Sequence, residues 1–542
     1  MLALRPYLPL RMVLTVCGQC FSDDPDREID YEKDVLQGNL VAMDGAVYLR
    51  RHCQRGHGEV VSLYEEDHAL WQDLQDWRIP TREINPDIPG NVRPIPMGYL
   101  DGLGDLQTQH SCILLLDVTQ NCNLHCPTCF ADSGPGLNRH ARLPHILRSL
   151  DTAIEREGGR VDALMLSGGE PTVHPEIVQI IKAAADRKVT RVVLNTNGIR
   201  IARDDKFLAE LARLRDRVEV YLQFDGFRKE THLFHRGEDL REMKAEAIRR
   251  LTGERIYTTL AMASAKGVND DEVGAVVEYA FATDYIAGVA IQPMFTAGRA
   301  NPVDPMARAT TTGTIRRLGE QTDQRVGPAD FIALPCSHPD CSSLTYFIRG
   351  DDGSHRSIVQ LIGRDRLKAR MAVFGNRLAP DDALWESLTG LLSETAMVSR
   401  REVIDYLLDI CEVCDLGVSG FIKSLGRWMT NRGSAPLDEI ALRVKRVSIK
   451  TFMDPWTLNV ERLQQCCVHV GSTDGEANPV RIPFCARQVF GELRRRTSAG
   501  MVPAARLVAL DAPASGAALS AGSAKTDLLR IGRLTGEEAG RC

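Results

Sequence analysis

Between residues 113 and 292, short apolar runs alternate with amphipathic ones and little chain is left over. The apolar runs are Ile113-Leu-Leu-Leu-Asp-Val118, Ala163-Leu-Met-Leu-Ser167, Arg191-Val-Val-Leu-Asn195, Val218-Glu-Val-Tyr-Leu-Gln223, Ile256-Tyr-Thr-Thr-Leu260 and Gly288-Val-Ala-Ile-Gln292. Strands this short and this apolar are covered on both faces, which is the mark of a parallel sheet. Helical periodicity near 143–157, 175–187, 205–214, 239–251 and 271–281 supplies the crossovers. Crossovers of one hand curl such a series toward a barrel. The expected fold class is α/β, a partial (β/α)6 TIM-like barrel.

Directly after the first strand comes Asn-Cys122-Asn-Leu-His-Cys126-Pro-Thr-Cys129-Phe. The run offers three thiolates. A [4Fe–4S] cubane takes four ligands, so one iron is left open, and an open position is where metal chemistry proceeds. The competing reading is a structural zinc knuckle with a distant fourth ligand. Three further motifs fall at strand ends: Ser167-Gly-Gly-Glu-Pro-Thr-Val-His-Pro-Glu176, Asn195-Thr-Asn-Gly198 and Gln223-Phe-Asp-Gly226. In β/α barrels that rim carries the reactive groups, and a zinc knuckle has no need of such company.

The triplet and its setting resemble the signature of radical S-adenosylmethionine (SAM) enzymes. That resemblance implies a [4Fe–4S] cluster on Cys122, Cys126 and Cys129, with the amino and carboxylate groups of SAM on the fourth iron. It also implies reductive cleavage of SAM to a 5′-deoxyadenosyl radical that abstracts an unactivated hydrogen. Gly168 and Gly169 allow close backbone approach to a ligand. Glu170 and Pro171 complete the run that holds the SAM amino group in enzymes of this kind. Asn195, Asn197 and Gln223 can hydrogen-bond ribose hydroxyls or a carboxylate; Asp225 joins them, although polar residues also cap strand ends. Thr128 stands before the third cysteine, where many such enzymes carry an aromatic residue.

The other cysteines extend the picture. The chain holds 15, a net charge of −6 and 44% hydrophobic residues. Nothing in the charge points to nucleic acid. The apolar N-terminus is broken by Arg5, Pro6, Pro9 and Arg11 and does not read as a signal peptide. No apolar run of about 18 residues suggests a membrane span. A cytoplasmic protein is expected, peripheral to the membrane if its substrate is a lipid. Reduced, paired cysteines there read as metal sites.

Residues 1–100 read as a metal-binding module with a Pro-rich linker, 101–300 as the barrel, and 301–495 as a cysteine-rich auxiliary-cluster domain. The Ala-, Gly- and Ser-rich stretch 496–542 reads as a disordered tail. Pro335-Cys-Ser-His-Pro-Asp-Cys341, the run from Phe452 to Val470 and Ile482-Pro-Phe-Cys485 resemble the radical SAM group that contains tetraether lipid synthase and proteins named as pterin methyltransferases.

The resemblance implies auxiliary iron–sulfur ligands among Cys336, Cys341, Cys411, Cys414, Cys466, Cys467 and Cys485. It also implies a mononuclear iron or zinc on Cys17, Cys20, Cys53 and His57, although here Cys53 and His57 stand one residue further apart than in the group's Cys-x2-His-Gly element. A Cys-Gly-Leu-Cys run that precedes the first barrel strand in that group has no counterpart in 99–110. The expected activity is hydrogen abstraction from an unactivated carbon for C–C bond formation on lipid alkyl chains. Radical methylation of a pterin-like molecule and peptide modification are the alternatives, and a non-catalytic iron–sulfur protein is the reading from outside enzymology. A low-potential donor of the ferredoxin or flavodoxin type is the expected partner.

Overall fold

The computed structural model describes residues 6–77, 110–368 and 442–508, apart from 25, 26, 28, 301, 302, 335, 336, 366, 477 and 478. The N-terminal strands β1 (Leu8–Thr15), β2 (Leu36–Met43), β3 (Ala46–Cys53) and β4 (Gly58–Glu65) form an antiparallel meander in that order. Asp44 and Gly45, both at positive φ (51° and 79°), make the two-residue turn between β2 and β3. That backbone matches the strand twist, and Asp-Gly adopts it readily. Leu40, Val47, Leu49, Tyr64 and Trp71 pack its core.

The central sheet contains β5 (Ile113–Thr119), β6 (Val161–Gly168), β7 (Val189–Thr196), β8 (Val218–Gln223), β9 (Thr258–Ser264) and β10 (Ile286–Pro293). Each pairs with the next in parallel. The expected helices are present at Leu143–Arg156, Ile177–Ala185, Asp205–Arg213, Arg241–Gly253 and Val273–Ala282. Along β5, Leu114 and Leu116 meet the helix-side core while Leu115 faces the inner one, the period-two alternation of a strand. The inner layer also includes Ala163, Met165, Val193, Tyr221, Ala261 and Ala290.

Within residues 113–292 two short α-helices go beyond the sequence reading, at Ile199–Arg203 and Lys229–Arg236. Each is a turn or two long, too short for a periodic signal, and each is bounded by a glycine at positive φ. Gly198 (83°) starts the first and Gly237 (77°) ends the second.

The segment after 300 extends this same sheet at both edges. β11 (Ile332–Ala333), β12 (Ser342–Arg349), β13 (His355–Ser357) and β14 (Val444–Lys450) lie on one side. β14 runs parallel to β10, and β12 runs antiparallel to β14. On the other side β15 (Val468–Gly471) runs parallel to β5, and β16 (Arg481–Pro483) runs antiparallel to β15. Among the described residues β11 and β16 end the sheet and do not pair, so the barrel is open.

The chain is still packed at the start of the expected tail. Met501 belongs to the main core, and Val502 exchanges two backbone hydrogen bonds of 2.8 Å with His140. Low-complexity composition begins later than this contact, which is why the boundary at 496 is too early. The Pro-rich linker at 80–97 and residues 509–542 lie outside the described residues.

Candidate active site

The loop after β5 is stitched to its neighbours by backbone. Gly169 N–H donates to Thr119 O at 2.7 Å, and Glu170 N–H donates to Asn121 O at 2.9 Å. A Cβ at Gly168 would overlap the Thr119 carbonyl, and one at Gly169 the Asn121 carbonyl. The two glycines therefore serve the seam between the cysteine loop and the β6 loop, and not only a ligand. Arg299 N–H donates to Cys129 O at 2.9 Å, and Thr128 Oγ1 donates to His235 O at 3.1 Å. Thr128 thus ties the cysteine loop to the Lys229–Arg236 helix.

Cys122, Cys126 and Cys129 open into a solvent-connected cleft, which Gly168, Gly169, Glu170, Asn195, Asn197 and Gln223 also line. Cys126 is buried; Cys122 and Cys129 are half-buried. Burial pushes the Cys122 thiol up to about 12, with the charges of Glu170 and the other two cysteines adding to it. Burial also raises Cys126, against the nearby Arg236 guanidinium, which favours its thiolate. A cationic metal centre would relieve these costs, so the donor set fits a cluster.

Glu170 is placed differently from the sequence expectation. Its Oε1 accepts from Thr172 N–H (3.1 Å), Thr172 Oγ1 (2.6 Å) and Thr196 Oγ1 (2.6 Å), and its Oε2 accepts from Asn197 N–H (2.7 Å). A carboxylate has about four acceptor sites, so this side chain is used in latching the β6 loop to the β7 loop. Pro171 is buried and opens a one-turn 3-10 helix; its carbonyl accepts from His174 N–H, so it is not free.

Asn195 and Gln223 belong to one relay. Asn195 Nδ2 donates to Ser167 Oγ (3.1 Å), Gln223 Nε2 to Asn195 Oδ1 (2.7 Å), and Arg236 Nη2 to Gln223 Oε1 (3.1 Å). Asn197 Nδ2 donates to Asn123 Oδ1 at 2.7 Å. Asp225 is fully buried and does not reach the cleft. It accepts from Arg236 Nε at 2.6 Å and Nη2 at 2.7 Å, and the nearby guanidinium holds its carboxyl far below the usual range despite burial.

Arg236 and Gln292 line the cleft and are absent from the sequence expectation. Gln292 ends its strand as Asn195 and Gln223 do in theirs, which was an available signal; Arg236 lies in a helix too short to have one. Lys244 was also missed. It is buried below the β7 loop, donates to Asn197 O at 2.6 Å, and is pushed down to about 7 by burial and by Arg236.

A second cluster lies in the N-terminal module. Cys17, Cys20, Cys53 and His57 bring their donor atoms within 4.8 Å of one another. Nδ1 of His57 is 3.6 Å from Cys17 Sγ, 3.3 Å from Cys20 Sγ and 3.4 Å from Cys53 Sγ, and the latter two sulfurs are 3.6 Å apart. Tetrahedral ligation by zinc at ~2.3 Å separates sulfurs by roughly 3.8 Å, so the set has the size of a mononuclear site. The extra residue before His57 is absorbed in the turn after β3. His57 Nε2 lies 3.1 Å from Asp23 Oδ2, the kind of outer carboxylate that orients a ligating imidazole. Cys53 is brought down to about 7: burial opposes this, and the N–H groups of Arg55 and His57 outweigh it.

Cys341, Cys467 and Cys485 lie near enough to Cys466 for their charges to act on it, but among the described residues these cysteines do not draw together as tightly as the N-terminal set. Burial raises Cys466 well above a normal thiol, and the charges of Cys485, Cys467 and Cys341 follow as causes. Arg462 Nε donates to Cys341 Sγ at 3.4 Å. Cys336, Cys411 and Cys414 lie outside the described residues.

An open β/α sheet carries three cysteines on the rim of its first strand, a donor set that would leave one iron of a [4Fe–4S] cluster without a protein ligand. The model of the radical SAM superfamily matches residues 116–280, so this part of the chain is a radical SAM domain and the protein a radical SAM enzyme. The family implies SAM and a [4Fe–4S] cluster. The chain is 26% identical over 487 residues to a 7,8-dihydro-6-hydroxymethylpterin dimethyltransferase of Methanocaldococcus jannaschii, covering 83% of this chain and 90% of that protein. It is 31% identical over 173 residues to a probable GTP 3′,8-cyclase of Thermococcus kodakarensis, 32% of this chain and 54% of that one. A solved radical SAM methyltransferase from Sphaerobacter thermophilus gives a TM-score of 0.31 at 14% identity, over 60% of this chain and 76% of that one. No helix among the described residues is long and apolar enough to cross a membrane.

Proposed function

We propose that this enzyme methylates a pterin-like heterocycle by radical SAM chemistry. The observation that carries the reading is that the three thiolates share one cleft with a polar floor of Ser167, Asn195, Gln223 and Arg236. That floor would meet the polar groups of SAM, and the choice of a pterin over a lipid alkyl chain rests on the similarity to a relative covered over 90% of its length. The relative that spans most of this chain acts, by its name, on a dihydropterin.

Cys122, Cys126 and Cys129 would hold the cluster, which with SAM supplies a strongly oxidising carbon radical when bound. The chain's own groups do the positioning. Arg236 favours the Cys126 thiolate and is itself oriented by Asp225. Asn195, Asn197 and Gln223, which line the same cleft as the three cysteines, would hydrogen-bond the polar groups of SAM. Cys17, Cys20, Cys53 and His57 would hold one zinc or iron. Cys341, Cys466 or Cys467, and Cys485, with Cys336, would hold an auxiliary iron–sulfur cluster. A low-potential donor of the ferredoxin or flavodoxin type would reduce the first cluster.

The test is incubation of reconstituted enzyme with SAM, reductant, 7,8-dihydro-6-hydroxymethylpterin and a labelled one-carbon donor. Labelled methyl on the pterin is the expected product. Formation of 5′-deoxyadenosine with no methylated pterin would overturn the substrate, and coupled alkyl chains from added membrane lipid would restore the alternative.

A further inference from the structure

Inside the open barrel, β14 presents charge to the lumen. Val447 and Ile449 belong to the helix-side core, so Arg446, Ser448 and Lys450 alternate onto the inner face. Glu219 on β8 answers the first of these. Its Oε1 accepts from Thr259 Oγ1 at 2.5 Å and from Arg446 Nη2 at 3.3 Å.

Lys450 has no such partner. Among the described residues its Nζ makes no hydrogen bond or ion pair. It lies 6.0 Å from the centroid of the Tyr221 ring, the outer limit of a cation–π contact. Burial holds the ammonium down to a pKa of about 8 and Arg446 adds to this, while the charges of Cys467, Glu219 and Cys112 act the other way. Those groups come from β8, from β14 and from the residues leading into β5 and β15, so the ammonium stands in the lumen and not on the outer face of the sheet. Lys450 is half-buried, so a solute can reach it.

Tyr221 connects this lysine to the cleft. Its hydroxyl accepts from Nε2 of Gln292, a cleft residue, at 2.7 Å. The inner-layer residues of β9 and β10 near this connection include Ala261 and Ala290, whose short side chains do not reach across the lumen. A cation drawn out of water without a counter-charge is costly, and a bound oxyanion offsets that cost with charge-assisted hydrogen bonds. A neutral ring or an alkyl chain in the same place would remove water from the ammonium and give nothing back.

We propose that Lys450 forms an oxyanion subsite in the barrel lumen, and that the substrate is a heterocycle with a phosphate or carboxylate arm that reaches it. Nζ donates to the oxyanion, and the Tyr221 ring flanks the ammonium. The inference rests on the proposed use of the adjoining cleft for catalysis and goes further by giving the substrate a negative charge. The neutral hydroxymethylpterin is then a weaker ligand than its anionic derivatives.

The test is binding of three pterins to SAM-loaded holoenzyme: 7,8-dihydro-6-hydroxymethylpterin, its phosphate monoester and the 6-carboxy analogue. Wild type, Lys450→Met and Lys450→Arg are compared. Iron and sulfide counts and an EPR-monitored reductive titration of the clusters accompany each. Wild type should hold the better anionic pterin roughly ten- to hundredfold tighter than the neutral one; the tighter of the two anions names the arm. Lys450→Met should abolish that preference, and Lys450→Arg, which keeps the charge, should retain part of it. An anion preference equal in wild type and Lys450→Met, or absent from wild type, overturns the subsite while leaving the proposed function standing. A shifted cluster potential in Lys450→Met with an unchanged anion preference also overturns it, and makes Lys450 the counter-ion of an auxiliary cluster. If wild type binds no pterin of any charge, the proposed substrate fails, and the subsite is decided by guanosine 5′-monophosphate against guanosine. A preference for the nucleotide that Lys450→Met lacks supports it, and equal or absent binding overturns it.

Discussion

Arg236 clasps Asp225 with two nitrogens, Nε to Oδ2 at 2.6 Å and Nη2 to Oδ1 at 2.7 Å, in the layer beneath the three cysteines. The carboxylate is fully buried and the guanidinium nearly so. From this position Arg236 also acts on Cys126. The pair thus links the end of β8 to the thiolate loop without either residue being adjacent to it in sequence.

Removing one partner of a buried pair leaves the other charge uncompensated. Asp225→Asn should cost about 3–5 kcal/mol of stability at pH 7 and lower the SAM-cleavage rate of the protein that does fold. Asp225 has a folded pKa below its unfolded value of about 3.9, so its contribution is present above that value and is lost as pH falls. Urea unfolding of wild type and variant should show a constant gap from pH 5 to 7 that narrows below about pH 4. A gap that does not change with pH would argue against the ion pair.

Cys122, Cys126 and Cys129 replaced together by Ala should remove about four irons and all SAM cleavage. Anaerobic iron and sulfide counts check this. Unchanged iron would contradict the assignment of the triplet.

The N-terminal set should behave independently. His57→Ala or Cys53→Ala should release one zinc or iron, measured by elemental analysis, while SAM cleavage per cluster persists. Asp23→Ala should lower metal affinity roughly ten- to hundredfold, because Asp23 Oδ2 accepts from His57 Nε2.

Gly169→Ala places a methyl group onto the Asn121 carbonyl. The backbone seam to the cysteine loop must shift, at a cost of about 1–3 kcal/mol. Reduced cluster occupancy should accompany the fall in denaturation midpoint.

Lys244 has a folded pKa pushed down to about 7, below the unfolded value near 10.4. Between those values the unfolded chain binds the extra proton, so this group makes stability rise with pH from about 7 to 10. Lys244→Met should flatten that rise. Unfolding at pH 7, 8.5 and 9.5 measures it, and equal slopes for the two proteins would refute it.

The central strands and their crossover helices were readable because each is long enough to express its period. The strand from Val218 to Gln223 is bounded as expected, and the helix expected at 143–157 is found at Leu143–Arg156. The Lys229–Arg236 helix was not readable, since eight residues between two loops leave no periodic trace, and Arg236 went unseen with it. Asp225 was read as facing a ligand because a strand-end carboxylate looks the same in sequence whether it points to solvent or to a buried arginine. His57 looked displaced by one residue, and only the shape of the turn after β3 returns its Nδ1 to the three sulfurs.

The sequence by itself determined the β/α alternation and the three-thiolate chemistry. Both depend on spacing within a few residues, which the covalent chain preserves. Tertiary structure alone decided that Glu170 latches two loops, that Asp225 serves Arg236, that Gln292 shares a cleft with the cysteines, and that residues after 300 extend both edges of the sheet. Those outcomes turn on which polar groups are buried together, and burial is a property of distant segments meeting.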